Sequence, residues 1–261
     1  LQGTTANDNI IGSQWNDTIL GGLGNDVITD IKGVNYLDGG EGNDKITGAG
    51  TLVGGKGNDI LTANVMGSSD VFKFNVGDGI DTIISLDAHK TQKGTDIIEF
   101  GAGITAANLT FQRKGNNLII IYGEGDQVTL NNYFSGDNYS TINQIKFSNG
   151  TSINIQDSMK LQGTTANDNI IGSQWNDTIL GGLGNDVITD IKGVNYLDGG
   201  EGNDKITGAG TLVGGKGNDI LTANVAGSSD TFIFNKGDGQ DIINSIDAHK
   251  TLKGTDVIKL G

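Results

Sequence analysis

Aspartate recurs in this chain at a fixed spacing, and glycine recurs with it. Asp8, Asp17 and Asp26 are nine residues apart, and Asp44 and Asp59 extend the series past Asn35 and one shortened unit. Glycines precede several of these aspartates, as in GGLGND (21–26), GGEGND (39–44) and GGKGND (54–59). A carboxylate supplies hard anionic oxygen. Glycine permits left-handed backbone, which lets successive carbonyl oxygens turn toward one centre. The chemistry this combination permits is the binding of a hard cation by carboxylates and carbonyls together. Acid–base catalysis needs titratable groups held in one unique, asymmetric environment. Carboxylates repeating at a fixed period do not provide one.

Other chemistries lack their residues. The chain contains no HExxH, no GxSxG elbow and no Walker glycine loop. Its two histidines, His89 and His249, stand alone before Lys-Thr and read as surface residues. Cysteine is absent, which removes disulfides and thiolate metal sites. The net charge of −14 repels nucleic acid and anionic lipid, and suits either a cation binder or a solvated acidic surface. No apolar run approaches the roughly 20 residues of a membrane span. No leader is visible, and the abrupt start at Leu1 reads as a piece of a longer chain. The expectation is a protein that is not an enzyme.

The elements that must position the aspartates follow from two nested repeats. The long period is 160 residues: residues 1–65 recur without change as 161–225, and the likeness continues with substitutions to Gly101 and Gly261. The short period is nine: GTTANDNII (3–11), GSQWNDTIL (12–20), GGLGNDVIT (21–29), DIKGVNYLD (30–38), GGEGNDKIT (39–47), then a shortened GAGTLV (48–53) and GGKGNDILT (54–62). The first six residues of a nonamer read as a turn and the last three as a strand. Strand side chains alternate faces, so only position eight reaches the interior. Ile10, Ile19, Ile28, Leu37, Ile46, Leu52 and Leu61 should therefore stack as a thin apolar ladder. One such side chain per nine residues cannot offset the entropy of ordering all nine. The acidic turns point to a cation as the missing contribution. Ca²⁺ takes six to eight hard oxygens from carboxylates and carbonyls, which is the mixture on offer.

The pattern GGxGxDxUx, matched fully at 21–26, 39–44, 54–59, 181–186, 199–204 and 214–219, resembles the nonapeptide of the RTX (repeats-in-toxin) haemolysin-type calcium-binding family. That resemblance implies an all-β fold, a parallel β-roll in which two nonamers make one coil. It also implies several Ca²⁺ ions per roll, each held between turns 18 residues apart. The earlier turn gives the carbonyls of positions two and four and its aspartate. The later turn gives the carbonyls of positions one and three and its aspartate.

Carried onto this chain, the first site comprises Thr4, Ala6, Asp8, Gly21, Leu23 and Asp26. The second comprises Gly22, Gly24, Asp26, Gly39, Glu41 and Asp44, and the third Gly40, Gly42, Asp44, Gly54, Lys56 and Asp59. The second copy repeats them. Its first site is Thr164, Ala166, Asp168, Gly181, Leu183 and Asp186. Its second is Gly182, Gly184, Asp186, Gly199, Glu201 and Asp204, and its third Gly200, Gly202, Asp204, Gly214, Lys216 and Asp219. The opposite edge is poorer, because Asp17 stacks on Asn35 and the shortened unit removes the next turn. Weaker candidates are therefore Asp17, Asp70, Asp81 and Asp96, with Asp177, Asp230, Asp241 and Asp256 in the second copy.

Residues 71–134 are similar to the haemolysin-type calcium-binding-protein-related segment that follows such rolls. LTFQR, NLIIIY, QVTL, INQIKF and TSINI read as strands, GNN (115–117) as a hairpin turn, and Phe72, Phe74, Phe111, Tyr133, Phe134 and Phe147 as a core. The expected organisation is a first roll over 1–101, an antiparallel β cap over 102–160 and a second roll over 161–261. Trp15 and Tyr36 are expected to pack beside a roll strand, with a carbohydrate-stacking face as the alternative. The family implies a region of a large secreted bacterial protein, exported by type I secretion machinery and folding outside on Ca²⁺. The alternatives are an adhesin or surface array and the receptor-binding region of a toxin, each with a host cell surface as partner.

Overall fold

A computed structural model describes residues 1–65, 67–86, 95–135, 142–155, 158–245 and 254–261. His89 and His249 lie outside the described residues. The described chain is almost entirely β, with one 3-10 turn at Ala106–Asn108 and no α-helix. It divides into two compact units: Leu1–Thr110 with Lys114–Ile155, and Phe111–Arg113 with Gln156–Gly261.

The first unit is a parallel β-roll whose coils are set by the nonamers. On one face Ile10 pairs with Ile28, Ile28 with Ile46, Ile46 with Leu61 and Leu61 with Ile83. On the other, Ile19 pairs with Leu37, Leu37 with Leu52, Leu52 with Phe72 and Phe72 with Ile98. From Ile19 onward these side chains are fully buried. The expected ladder is thus two ladders sharing one core. The shortened unit works by trimming a turn: the strand Lys45–Lys56 pairs with Val27–Glu41 up to Asp30, then resumes at Asn35 opposite Gly50. Trp15 departs from expectation. It is 70% exposed rather than packed.

Residues 114–135 and 142–155 continue this roll rather than closing it with an antiparallel sheet alone. Gln127–Leu130 pairs antiparallel with Asn117–Ile121, and Ile142–Phe147 with Ser152–Asn154. One strand of each hairpin also stacks parallel on the roll, Gln127–Leu130 on Ile80–Ser85 and Ile142–Phe147 on Asp96–Phe100. The reason is physical. A roll ends in a row of unpaired amides and carbonyls and an open apolar core, and a strand in register covers both. Leu130 and Ile145 thereby extend the two ladders by one rung. Phe74, Phe100, Tyr122 and Phe147 form a connected aromatic group beneath them. Phe100 and Tyr122 were not among the expected core residues. Phe111 belongs to the second unit, where it pairs with Leu161. Tyr133 and Phe134 form their own edge-to-face pair.

The second unit repeats the roll. Ile170, Ile188, Ile206, Leu221 and Ile243 stack on one face, and Ile179, Leu197, Leu212, Phe232 and Ile258 on the other. Ser158–Gln162 adds a strand ahead of Asn176–Leu183. The covering effect of the extra rung can be read by comparison. Ile98, under Ile145, is fully buried, whereas its counterpart Ile258 is 59% exposed.

Candidate metal centres

The turns are shaped by atoms that take the place of side chains. Gly40 and Gly42 have φ of +105° and +136°, and a Cβ on Gly40 would lie 2.1 Å from the Gly22 carbonyl oxygen. At position one the constraint is different. A Cβ on Gly21 would meet the Asp26 Oδ2 and the Gly39 carbonyl oxygen, each at 2.4 Å. A Cβ on Gly39 would meet the Asp44 Oδ2 at 2.1 Å and the Gly54 carbonyl oxygen at 2.6 Å. The absent side chain leaves a space on which a carboxylate oxygen of one turn and a carbonyl of the next converge.

The aspartates form a ladder along this edge. The amide of Asp8 donates to Asp26 Oδ1 at 2.7 Å, Asp26 to Asp44 at 2.7 Å, Asp44 to Asp59 at 2.7 Å and Asp59 to Asp81 at 2.9 Å. One carboxylate oxygen of each later residue is thus spent on the turn before it. The other has no partner: Oδ2 of Asp26, Asp44, Asp59 and Asp81 is buried without a hydrogen bond, as is that of Asp186, Asp204 and Asp219. A buried, unpaired carboxylate oxygen is expensive. A row of them beside inward carbonyls fits Ca²⁺. Among the described residues no three acidic or histidine side chains meet at one point. Two carboxylates and a set of carbonyls suit Ca²⁺, and they do not suit a metal that needs several side-chain ligands.

The structure brings the expected residues of the first edge into one row per unit. Glu41 and Lys56 turn their side chains outward into an exposed pair at 3.0 Å, so only their carbonyls face the turns. Those carbonyls already accept the amides of Gly24 and Gly42, at 2.8 Å each. Asp8 differs from its neighbours, because its Oδ2 accepts from the Thr4 amide at 2.6 Å and the Thr4 hydroxyl at 2.8 Å. Asp168 and Thr164 repeat this. Of the weaker candidates, Asp81 joins the first row. Asp70 and Asp96 lie on the other edge with Oδ2 bonded to the hydroxyls of Ser68 and Ser85. Asp230 and Asp256 are held likewise by Ser228 and Ser245. Asp241 accepts the Asp219 amide, Asp17 the Ser13 amide and Asp177 the Ser173 amide.

Sequence reasoning missed three features. Position-five asparagines make a second ladder of opposite sense. Asn7 Oδ1 accepts the Asn25 amide, Asn25 that of Asn43, and Asn43 that of Asn58, at 2.7–2.8 Å. Their recurrence at position five of the turns starting at Gly3, Gly21, Gly39 and Gly54 was the available signal. Asp126 caps the row from the added rung by accepting the amides of Gly77 and Gly79. The GEGD stretch around it echoes the turn. Asp30, 3% exposed with a partnerless Oδ2, stands at position one where glycine is usual.

Burial raises the carboxyls of this row. Asp44 is pushed to about 6, Asp59 to about 7 and Asp81 to about 8, in each case mainly by desolvation and further by neighbouring aspartates. In the unfolded chain they titrate near 3.9. A raised folded value means the ion-free roll is most stable below about pH 4 and loses that stability as pH rises through 6 to 8. Without Ca²⁺, acidification from pH 8 to 5 should therefore increase β-structure by far-UV circular dichroism. With Ca²⁺ the sign reverses. Protons and the ion compete for the same oxygens, so affinity should fall between pH 8 and pH 6.

The sequence profile of the RTX calcium-binding nonapeptide repeat matches residues 1–29, 32–50, 47–64, 161–189, 192–221 and 207–225. That of the haemolysin-type calcium binding protein related domain matches 117–157. The chain belongs to the RTX haemolysin-type calcium-binding repeat family. The matched repeats include the turns of Asp26, Asp44 and Asp59, whose Oδ2 atoms lack partners. The chain is 36% identical over 108 residues to the iron-regulated protein FrpA of Neisseria meningitidis serogroup C, across 40% of this chain and 10% of that protein. It thus spans about a tenth of that relative. The extracellular lipase LipA of Serratia marcescens aligns over 74% of this chain and 33% of its own, with 16% identity and a TM-score of 0.28.

Proposed function

We propose that this chain is the Ca²⁺-folding region of a larger secreted bacterial protein, crossing a type I secretion channel unfolded and closing into its rolls outside. The observation that carries the reading is the row of buried Asp26, Asp44 and Asp59 Oδ2 atoms with no hydrogen-bond partner. Where Ca²⁺ is scarce these charges repel and the thin ladders cannot hold the coils. At extracellular, millimolar Ca²⁺ the ion binds the folded turns and not the chain, so binding free energy becomes folding free energy. In this reading the sites run between turns 3 and 21, 21 and 39, and 39 and 54, and the second copy repeats them. Within 102–160, the hairpins of Asn117–Leu130 and Ile142–Asn154 serve as the cap of the first roll. The role is non-catalytic, since the perturbed carboxyls recur at the repeat period.

The test is far-UV circular dichroism of the intact chain in EDTA and in Ca²⁺. Coil in EDTA and β-structure in about 1 mM Ca²⁺ support the proposal. Identical spectra contradict it. A second reading, an adhesive surface array, is favoured by the unchanged recurrence of residues 1–65 and by the exposed Trp15 and Tyr36 side chains. Binding of the Ca²⁺-loaded chain to host-cell glycans separates it from a purely structural role.

A further inference from the structure

Of two copies of the same residues, the second has an arginine beside it and the first has none among the groups acting on its buried aspartate. In the second unit Arg113 donates from Nη1 to the carbonyl oxygens of Ile171, at 3.1 Å, and Gly172. The charges that act on its guanidinium are the carboxylates of Asp177 and Asp190. Asp190 is 2% exposed and its Oδ2 has no hydrogen-bond partner. That oxygen lies 2.0 Å from where a Cβ of Gly172 would be. The guanidinium is thus bonded to two carbonyls and lies in the field of two carboxylates, an all-oxygen surrounding.

The first unit carries the identical residues, because 161–225 repeats 1–65. Asp30 is 3% exposed, its Oδ2 has no partner, and it stands 2.0 Å from the Cβ position of Gly12. Asp17 faces it, and the groups acting on Asp30 are Asp17, Asn35 and the Lys32 amide, with no guanidinium among them. This pair is on the edge opposite the Asp26–Asp44–Asp59 row. The usual position-six aspartate is missing there, since Asn35 replaces it, and Asp30 restores the second carboxylate from position one.

We propose that Asp17 and Asp30, with the carbonyls of Ile11 and Gly12, form an additional Ca²⁺ site in the first roll, and that Arg113 fills the equivalent site of the second roll in place of the metal. The inference rests on the Ca²⁺ reading above and adds to it an asymmetry between two copies of the same residues. The positive charge of Arg113 acts on the Asp177–Asp190 pair at any Ca²⁺ concentration, whereas the Asp17–Asp30 pair is neutralised only when the ion is present. A carboxylate as buried as that of Asp30, with a second one facing it, is costly without a cation.

The experiment is Ca²⁺ stoichiometry of the full chain at saturation by equilibrium dialysis. Asp30→Asn should lower the count by one, and Asp190→Asn should leave it unchanged. Arg113→Gln should raise the count by one, and adding Asp190→Asn to that variant should return it to the parent value. The gain in Arg113→Gln cannot arise from misfolding, which only removes sites. An unchanged count in both Asp30→Asn and Arg113→Gln, in a chain that still binds Ca²⁺ through the Asp44 row, overturns this inference alone. A chain that binds no Ca²⁺ at all overturns the Ca²⁺ reading itself.

Discussion

Replacing Asp44 by Ala should split the Ca²⁺ titration of this chain into two steps. Asp44 serves two adjacent turns. Its Oδ1 accepts the Asp26 amide, its own amide donates to Asp59, and its Oδ2 stands before Gly39 without a partner. The substitution removes a carboxylate from two neighbouring ion positions and leaves the buried Asp26 amide unsatisfied, which alone is worth about 1–3 kcal/mol. Even outer-shell changes at metal sites cost on the order of 10–100-fold in affinity, and a ligand common to two positions should cost at least that. The second unit keeps its own row through Asp186, Asp204 and Asp219. Circular dichroism should show one portion of the β-signal appearing at the parent midpoint and the other only at much higher Ca²⁺. Asp204→Ala should produce the mirror result. A single unshifted transition in either variant would remove Asp44 and Asp204 from the ligand set.

The second large effect concerns glycine. Gly40→Ala places a methyl group 2.1 Å from the Gly22 carbonyl oxygen on a residue whose φ is +105°. Left-handed strain costs roughly 1–2 kcal/mol, and overpacking against fixed backbone about 1–3 kcal/mol more. The carbonyl that would have to yield is one that the proposed sites use, so Ca²⁺ should not compensate. Gly115→Ala is the control. Its φ of +60° is also left-handed, but nothing lies within 4 Å of the added carbon. In saturating Ca²⁺, thermal unfolding should show a large loss for Gly40→Ala and a loss of about 1–2 kcal/mol for Gly115→Ala. Equal losses would mean the glycine is needed for conformation alone and not for the space before the oxygens.

Much of the roll was legible because it is periodic. A nine-residue period with an apolar residue at position eight places Ile28, Leu37 and Ile46 in a core, and a β-roll is the fold that stacks them. The shortened 48–53 unit was equally readable, since trimming three residues from a nonamer must shorten one turn. What escaped was aperiodic. Arg113 reaches Gly172 across 59 residues, and no spacing in the chain announces it. Phe111 departs to the second unit while Phe100 and Tyr122 pack in the first, because alternation along a strand tells which face a residue takes but not which neighbour covers it. The cap hairpins look antiparallel in sequence because each contains a tight turn. Their parallel docking is dictated by the open edge of the roll, a property of the fold and not of the segment. Asp30 was passed over because it occupies the glycine position of its nonamer.

The central claim is that ions sit between stacked turns along one edge of each roll. The most direct measurement is Ca²⁺ anomalous scattering from crystals of the chain grown in millimolar Ca²⁺. Peaks are expected between the turns beginning at Gly21 and Gly39 and at Gly39 and Gly54, adjacent to Oδ2 of Asp26, Asp44 and Asp59. Matching peaks are expected beside Asp186, Asp204 and Asp219. Folded rolls with no anomalous density at these oxygens would contradict the claim.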